Sequence, residues 1–185
     1  MWDAASSLIS LEDAVESIES YLLSKDVIWA RSGRPSLSLG LISLDLRWLP
    51  PILEAGDQAR LNAVEARLTA VRDKWRVAWE RKATAELRSR LNLWRGFLGD
   101  LERRPGLATS YPQEVRNRAM GVDLLDSAGN QPELIPLSAS LDAIDASFKD
   151  RFSPGAFVWE KVPESAFPAE QFWFLYGRPR SRNLV

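Results

Sequence analysis

Apolar residues along this chain recur mostly at helical spacings of three and four. Leu11, Val15, Ile18 and Leu22 share one face of a segment that Ser10 opens, with Asp13 at the third helical position in a loose capping box. This first helix is expected to reach about Ser24, and Gly33 and Pro35 then mark a turn. Residues 36–49 satisfy two rhythms. Leu37, Leu41, Leu44 and Trp48 keep a helical spacing, whereas Leu37, Leu39 and Leu41, then Ile42, Leu44, Leu46 and Trp48, alternate as in a strand. Helix is the better reading, because no second strand is evident nearby and a lone strand leaves its backbone unsatisfied. Pro50 and Pro51 end or bend the segment.

From Asp57 to Arg95 there is neither glycine nor proline. Leu61, Val64, Leu68, Val71 and Trp75 alternate spacings of three and four; Trp79, Ala83, Leu87 and Leu91 continue at four; Trp94, Leu98 and Leu101 resume the mixture. The stripe predicts one long central helix over residues 57–103, stopped by Pro105 and Gly106. At ~1.5 Å per residue that rod would be roughly 69 Å long, so either a break lies near Lys82 to Thr84 or the molecule is elongated. Pro112 begins a further helix to about Asp126, with Val115, Ala119, Val122 and Leu125 on one side. Ser138 opens another, whose buried face is Leu141, Ile144 and Phe148. Residues 152–163 read as irregular or extended. Pro168, Glu170, Gly177 and Pro179 frame a short aromatic C-terminal helix. The expected fold is all-α, a helical bundle organised around the long central helix, with residues 1–177 as a single domain and 178–185 as a basic flexible tail.

Composition removes chemistries more than it supplies them. Cysteine and histidine are both absent, which excludes disulfides, thiolate nucleophiles, cysteine-bound metals and the commonest general base. No Gly-x-Ser-x-Gly, Ser-x-x-Lys, phosphate loop or dinucleotide glycine fingerprint occurs, and no cofactor is expected. The acidic N-terminal stretch lacks the basic start of a secretory signal and no apolar run is long enough for a membrane span, so a cytoplasmic location without a membrane partner is expected. Net charge is −1, but residues 57–104 are net positive and both flanks are net negative. An acidic flank folding back would neutralise the basic centre.

That basic centre contains three tryptophans and raises nucleic-acid binding as one candidate. Arg81, Arg88 and Arg95, spaced by seven, share one polar face, whereas Trp75, Trp79 and Trp94 lie on the apolar stripe; a single-strand groove needs both on one face. Arg178, Arg180 and Arg182 would add a phosphate-binding tail. Glu12, Glu16 and Glu19 line one side of the first helix, and Asp123 with Asp126, and Asp142 with Asp145, stand three apart; oxygen-only clusters suit Mg²⁺ and nucleotide hydrolysis. Glu16-x-x-Glu19 resembles the first metal motif of the MazG-type pyrophosphohydrolases, which are all-helical; the second, a Glu-x-x-Asp on a following helix, is read as missing, and the chain is not placed in that family. Trp159, Trp173 and Tyr176, with Phe157, Phe167, Phe172 and Phe174, would either line a ligand pocket or seal a core. Sealing is the commoner role.

The leading expectation is a non-enzymatic helical interaction or scaffold protein that associates with itself or with another protein, because flanking helices of ~15 residues cannot each cover so long a stripe. A nucleic-acid-binding protein using the basic helix and a Mg²⁺-dependent all-α hydrolase are the alternatives.

Overall fold

The computed structural model describes residues 3–180, which form six α-helices and two short antiparallel strand pairs. Helix α1 (Ala4–Leu23) is capped by Asp3 and not by Ser10, because Asp3 accepts a hydrogen bond from the Ser6 amide and Leu8 extends the apolar face upstream. Its exit is clamped. The Tyr21 hydroxyl donates to the Val27 carbonyl at 2.7 Å, and the Lys82 ammonium donates to the Ser24 and Asp26 carbonyls at 2.9 and 2.8 Å.

Strands β1 (Trp29–Arg31) and β2 (Arg34–Leu37) form a hairpin whose turn places Gly33 at φ 69°. Residues 36 and 37 therefore complete a strand, with its partner just upstream. The helical reading holds from Leu39 onward, where α2 (Leu39–Trp48) begins behind the Ser38 cap. A 3₁₀ turn at Pro50–Ile52 leads to α3 (Ala55–Lys74), then α4 (Arg76–Arg103), α5 (Tyr111–Ser127) and α6 (Leu134–Lys149).

The expected continuous helix over 57–103 is broken at Trp75, where φ is −115° and ψ is 32°, and not near Lys82 to Thr84, which are helical. The physical reason lies in packing. Before Trp75, Leu61, Val64, Leu68 and Val71 bury one narrow stripe against α1; after it, α4 enters the centre and packs against α1, α2, α5 and α6. Salt bridges Glu12–Arg60 and Glu19–Lys74 show that α1 and α3 run in the same direction. Helices α4 and α5 are antiparallel, with Trp94 against Tyr111, Arg90 bonded to Asn117 and Leu87 facing Gly121.

Strand β3 (Phe152–Phe157) lies in the stretch expected to be irregular or extended; the C-terminal helix expected after it is not formed, and Pro168–Gly177 instead holds a 3₁₀ turn at Trp173–Leu175 and the start of β4 (Tyr176–Pro179), which pairs with β3. Leu175 accepts from the Val158 amide, and Gly177, at φ 144°, lies so close to β3 that a Cβ there would stand 2.2 Å from the Ser153 carbonyl oxygen. Turn bonds from the Gln171 and Phe172 amides to the Pro168 carbonyl carry the chain to this point, and Phe172, Phe174 and Leu175 are fully buried in the core. Residues 178 and 179 belong to β4, and Arg180 donates to the Phe152 carbonyl, so the expected mobile tail does not begin at 178; its remainder, 181–185, lies outside the described residues. Among the described residues no helix is long and apolar enough to cross a membrane.

Candidate functional site

Arg81, Arg88 and Arg95 are exposed on α4, as their spacing implies, while Trp79 and Trp94 are buried on the other side. Cations and aromatic faces therefore do not converge on one groove, and Arg95 is tied to Asn92 and Ser140. Arg178 is exposed on β4, and Arg182 lies outside the described residues. Two of the three α1 glutamates are paired with α3. Glu12 receives two bonds from Arg60, and Glu19 receives Lys74 at 3.1 Å; those cations hold both carboxyls below the ordinary glutamate range. Glu16 faces solvent. A Glu-x-x-Asp pair is in fact present, Glu54 and Asp57 at the start of α3, where Asp57 shares Arg60 with Glu12. Asp123 pairs with Arg47 and Asp145 with Arg118, while Asp126 and Asp142 are exposed. No three acidic side chains among the described residues are grouped to hold a metal ion.

Trp159, Trp173 and Tyr176 seal rather than line. Trp159 donates to the Pro112 carbonyl at 2.7 Å and meets Phe157 and Phe167 edge-on; Trp173 packs against Phe148, Phe152 and Phe174; Tyr176 donates to the Phe167 carbonyl at 2.8 Å. Together they close the bundle end where β3 and β4 meet α5 and α6.

The polar chemistry sits elsewhere, beneath the start of α2. Glu86 is fully buried, with one carboxylate oxygen accepting the Gly40 amide at 3.0 Å and the other taking two bonds from Arg90 at 3.1 and 2.9 Å. Arg90 also donates to Asn117 and to the Ser38 hydroxyl, at 3.1 and 3.3 Å. A buried ion pair is tolerable only when its remaining donors and acceptors are met, as here. The carboxylate also lies at the positive end of α2. Gly40 is required by this approach, since a Cβ there would stand 2.7 Å from a Glu86 oxygen.

Above this network opens a pocket of about 380 Å³ between α1, the β1–β2 hairpin, α2 and α5, with Ser38 belonging to both. Ser6, Ser7 and Ser10 line it from α1, Asp45 with Leu41 and Ile42 from α2, Gln113 and Arg116 from α5, and Arg31 and Leu37 from the hairpin. Arg31 is held within its wall, donating to Asp13 and twice to the Pro35 carbonyl. Asp45 accepts Trp48 Nε1 at 2.8 Å; burial nonetheless raises its pKa, against the pull of Trp48, Arg116 and Ser7. Burial lowers the pKa of Arg116, against the pull of Asp45. The pocket thus fixes opposite charges near one another beside an apolar wall. A second cavity, of about 440 Å³, lies at the far end of α4 between Leu98, Leu101, Pro105, Phe148, Arg151 and Pro179.

None of Ser38, Asp45, Glu86, Arg90, Asn117 and Arg116 was singled out from sequence. One signal was present: Lys82, Glu86 and Arg90 form a row spaced by four, one position before the apolar row Ala83, Leu87 and Leu91. All three charges are buried. No family model matches the chain, and no curated protein or solved structure matches it either.

Proposed function

We propose that this chain is a non-enzymatic helical interaction protein whose recognition element is the pocket between α1, α2 and α5. The observation that carries this reading is the preformed pocket itself, whose lining brings Asp45, Gln113, Arg116 and the α1 serines together with Leu37, Leu41 and Ile42, supported from below by the Ser38–Arg90–Glu86 network. Polar groups locked by neighbours bind with little ordering cost. Self-association has a weaker basis than the stripe suggested, because α1 covers the α3 stripe and α1, α2, α5 and α6 cover α4 within one chain.

The test is amide resonance mapping of the whole protein against a library of small polar molecules and a mixed-sequence oligonucleotide. Shifts gathered on Ser6, Ser10, Leu41 and Arg116 are expected with the former. Shifts confined to the Arg81, Arg88 and Arg95 face with the oligonucleotide, and lost with added salt, would replace this reading with nucleic-acid binding.

A further inference from the structure

We infer that the second cavity, at the far end of α4, is a binding site for a small neutral molecule with an apolar body, of the aliphatic-alcohol type. It is a separate site and does not depend on the reading of the pocket between α1, α2 and α5.

The apolar row of α4 runs into this cavity. Leu98 and Leu101 end the row; Leu98 is buried, but Leu101 is only half-buried, because here the stripe faces open volume. Phe148 from α6 and Pro179 from β4, both buried, and Pro105 and Ala108 from the 3₁₀ turn Pro105–Ser110 complete an apolar lining drawn from four elements. The walls are held in place. Phe148 is packed by the rings of Trp94, Tyr111, Phe152 and Trp173, and the two prolines have fixed φ. The Arg180 amide donates to the Arg151 carbonyl at 2.7 Å, and the Glu102–Arg151 ion pair ties α4 to the end of α6. A cavity that cannot collapse keeps the cost of its missing contacts, and an apolar molecule seated there recovers them.

The rim decides the charge of that molecule. Its ionised groups are two acids, Glu102 and Asp150, and two bases, Arg151 and Arg180, so neither sign prevails. Arg151 commits Nη1 to Glu102, Nε to the Ser147 carbonyl and Nη2 to the Ser147 hydroxyl, while Arg180 donates through Nε to the Phe152 carbonyl. Glu102, Ser147, Asp150 and Arg180 are exposed, so water serves what these bonds leave over. A carboxylate or an ammonium would give up its own water for a rim that repels it as much as it attracts it. A neutral molecule loses nothing there. One hydroxyl at its outer end can donate to the Glu102 oxygen that Arg151 does not occupy. Size agrees: enclosed apolar cavities of roughly 150 Å³ admit a benzene-sized molecule, and this one, at about 440 Å³, lies within the range of ligand sites.

Titration of the full chain with butan-1-ol, hexan-1-ol, hexanoate and hexylamine, followed by amide and methyl resonances, decides the matter. Hexanol is expected to shift Leu98, Leu101, Ala108 and Phe148 and to saturate. Affinity should rise roughly fourfold per methylene from butanol to hexanol, the worth of one buried methylene. Hexanoate and hexylamine are each expected to bind roughly 10-fold more weakly than hexanol. Leu101→Trp, which puts an indole into the cavity from a half-buried position, should abolish the hexanol shifts; should it not fold, Ala108→Leu fills the same space more gently, and the ligand series on the unaltered protein is decisive alone. Equal affinity for butanol and hexanol, or hexanol shifts still unsaturated at ~30 mM, overturns the site. Undiminished binding in a folded filling variant overturns it too, as do shifts gathered on Ser6, Ser10 and Leu41 instead. Hexanoate or hexylamine binding as tightly as hexanol overturns the neutral class.

Discussion

Helices α3 and α4 follow one another across a single residue and carry what reads as one apolar stripe, yet they are built differently. Helix α3 buries four side chains, Leu61, Val64, Leu68 and Val71, and its remaining surface is solvated. Helix α4 buries eleven, and four of these, Lys82, Thr84, Glu86 and Arg90, are polar or charged. The rhythm of the stripe explains the contrast. Alternating spacings of three and four average close to one helical turn, so the α3 face stays in line and suits a single partner, α1. Repeated spacings of four advance the face by about 40° at each step, so the α4 stripe winds around the helix and demands neighbours on several sides. A helix enclosed on several sides also carries its charges inward, where they need partners.

Removing a charge from each helix should break the comparison most visibly. Glu86→Ala leaves Arg90 buried without its carboxylate and opens the Gly40 amide, an expected loss of about 3–5 kcal/mol in urea unfolding. Arg60→Ala removes two surface ion pairs from α3 and is expected to leave the unfolding midpoint unchanged. Equal losses would mean that α3 is as tightly integrated as α4. Next in size is a pair of identical truncations at fully buried leucines. Leu87→Ala, in the enclosed helix, is expected near the upper end of the ~2–5 kcal/mol range for such changes, and Leu61→Ala near the lower end, because α3 can settle onto α1.

The helical class, the α5 boundaries and the Leu141–Phe148 face were legible from apolar spacing and from Pro112 alone. The break at Trp75 was written only as a change of rhythm, with no glycine or proline to announce it, and the preference for separate packing of α3 and α4 is a tertiary effect. The C-terminal strand was misread for a similar reason: Pro168, Gly177 and Pro179 do punctuate a helix, but Gly177 serves a close approach to β3 instead. Among candidate residues, the exposure of Arg81, Arg88 and Arg95 followed from their spacing. Asp45 and Arg116 could not be found that way, because the pocket exists only where two helices, a hairpin and α5 meet, and no local pattern encodes that meeting.

A smaller perturbation sharpens the same contrast from outside α4. Gly40→Ala places a methyl group 2.7 Å from a Glu86 oxygen and 3.2 Å from the Met120 Cβ, so α2 must shift off the α4 network. The expected cost is about 1–3 kcal/mol, measured as a lowered unfolding midpoint. Gly56→Ala, at the start of α3, has open space around the new methyl group and is expected to be neutral or slightly stabilising. A destabilised Gly56→Ala with an unaffected Gly40→Ala would reverse the assignment of which helix is constrained.

Alkaline titration gives the gentlest test. Tyr21 lies against Lys82 of α4 and Tyr111 against Trp94, and burial raises both phenol pKa values above the ordinary 10.0, helped by Glu86 and Asp145 respectively. A raised folded-state pKa means that the unfolded chain releases its proton first as pH climbs. Each tyrosine therefore contributes stability that is intact below pH 10 and declines above it, by at most ~1.4 kcal/mol per pH unit. Stability should be level from pH 8 to pH 9.5 and then fall. Tyr21→Phe costs the bond to the Val27 carbonyl, about 1 kcal/mol, but removes one titrating group, so its stability above pH 10 should fall less steeply than that of the unaltered chain. Parallel slopes for the two proteins would show that Tyr21 ionises as freely in the folded chain as in the unfolded one, and would place solvent against the α4 face that Tyr21 covers.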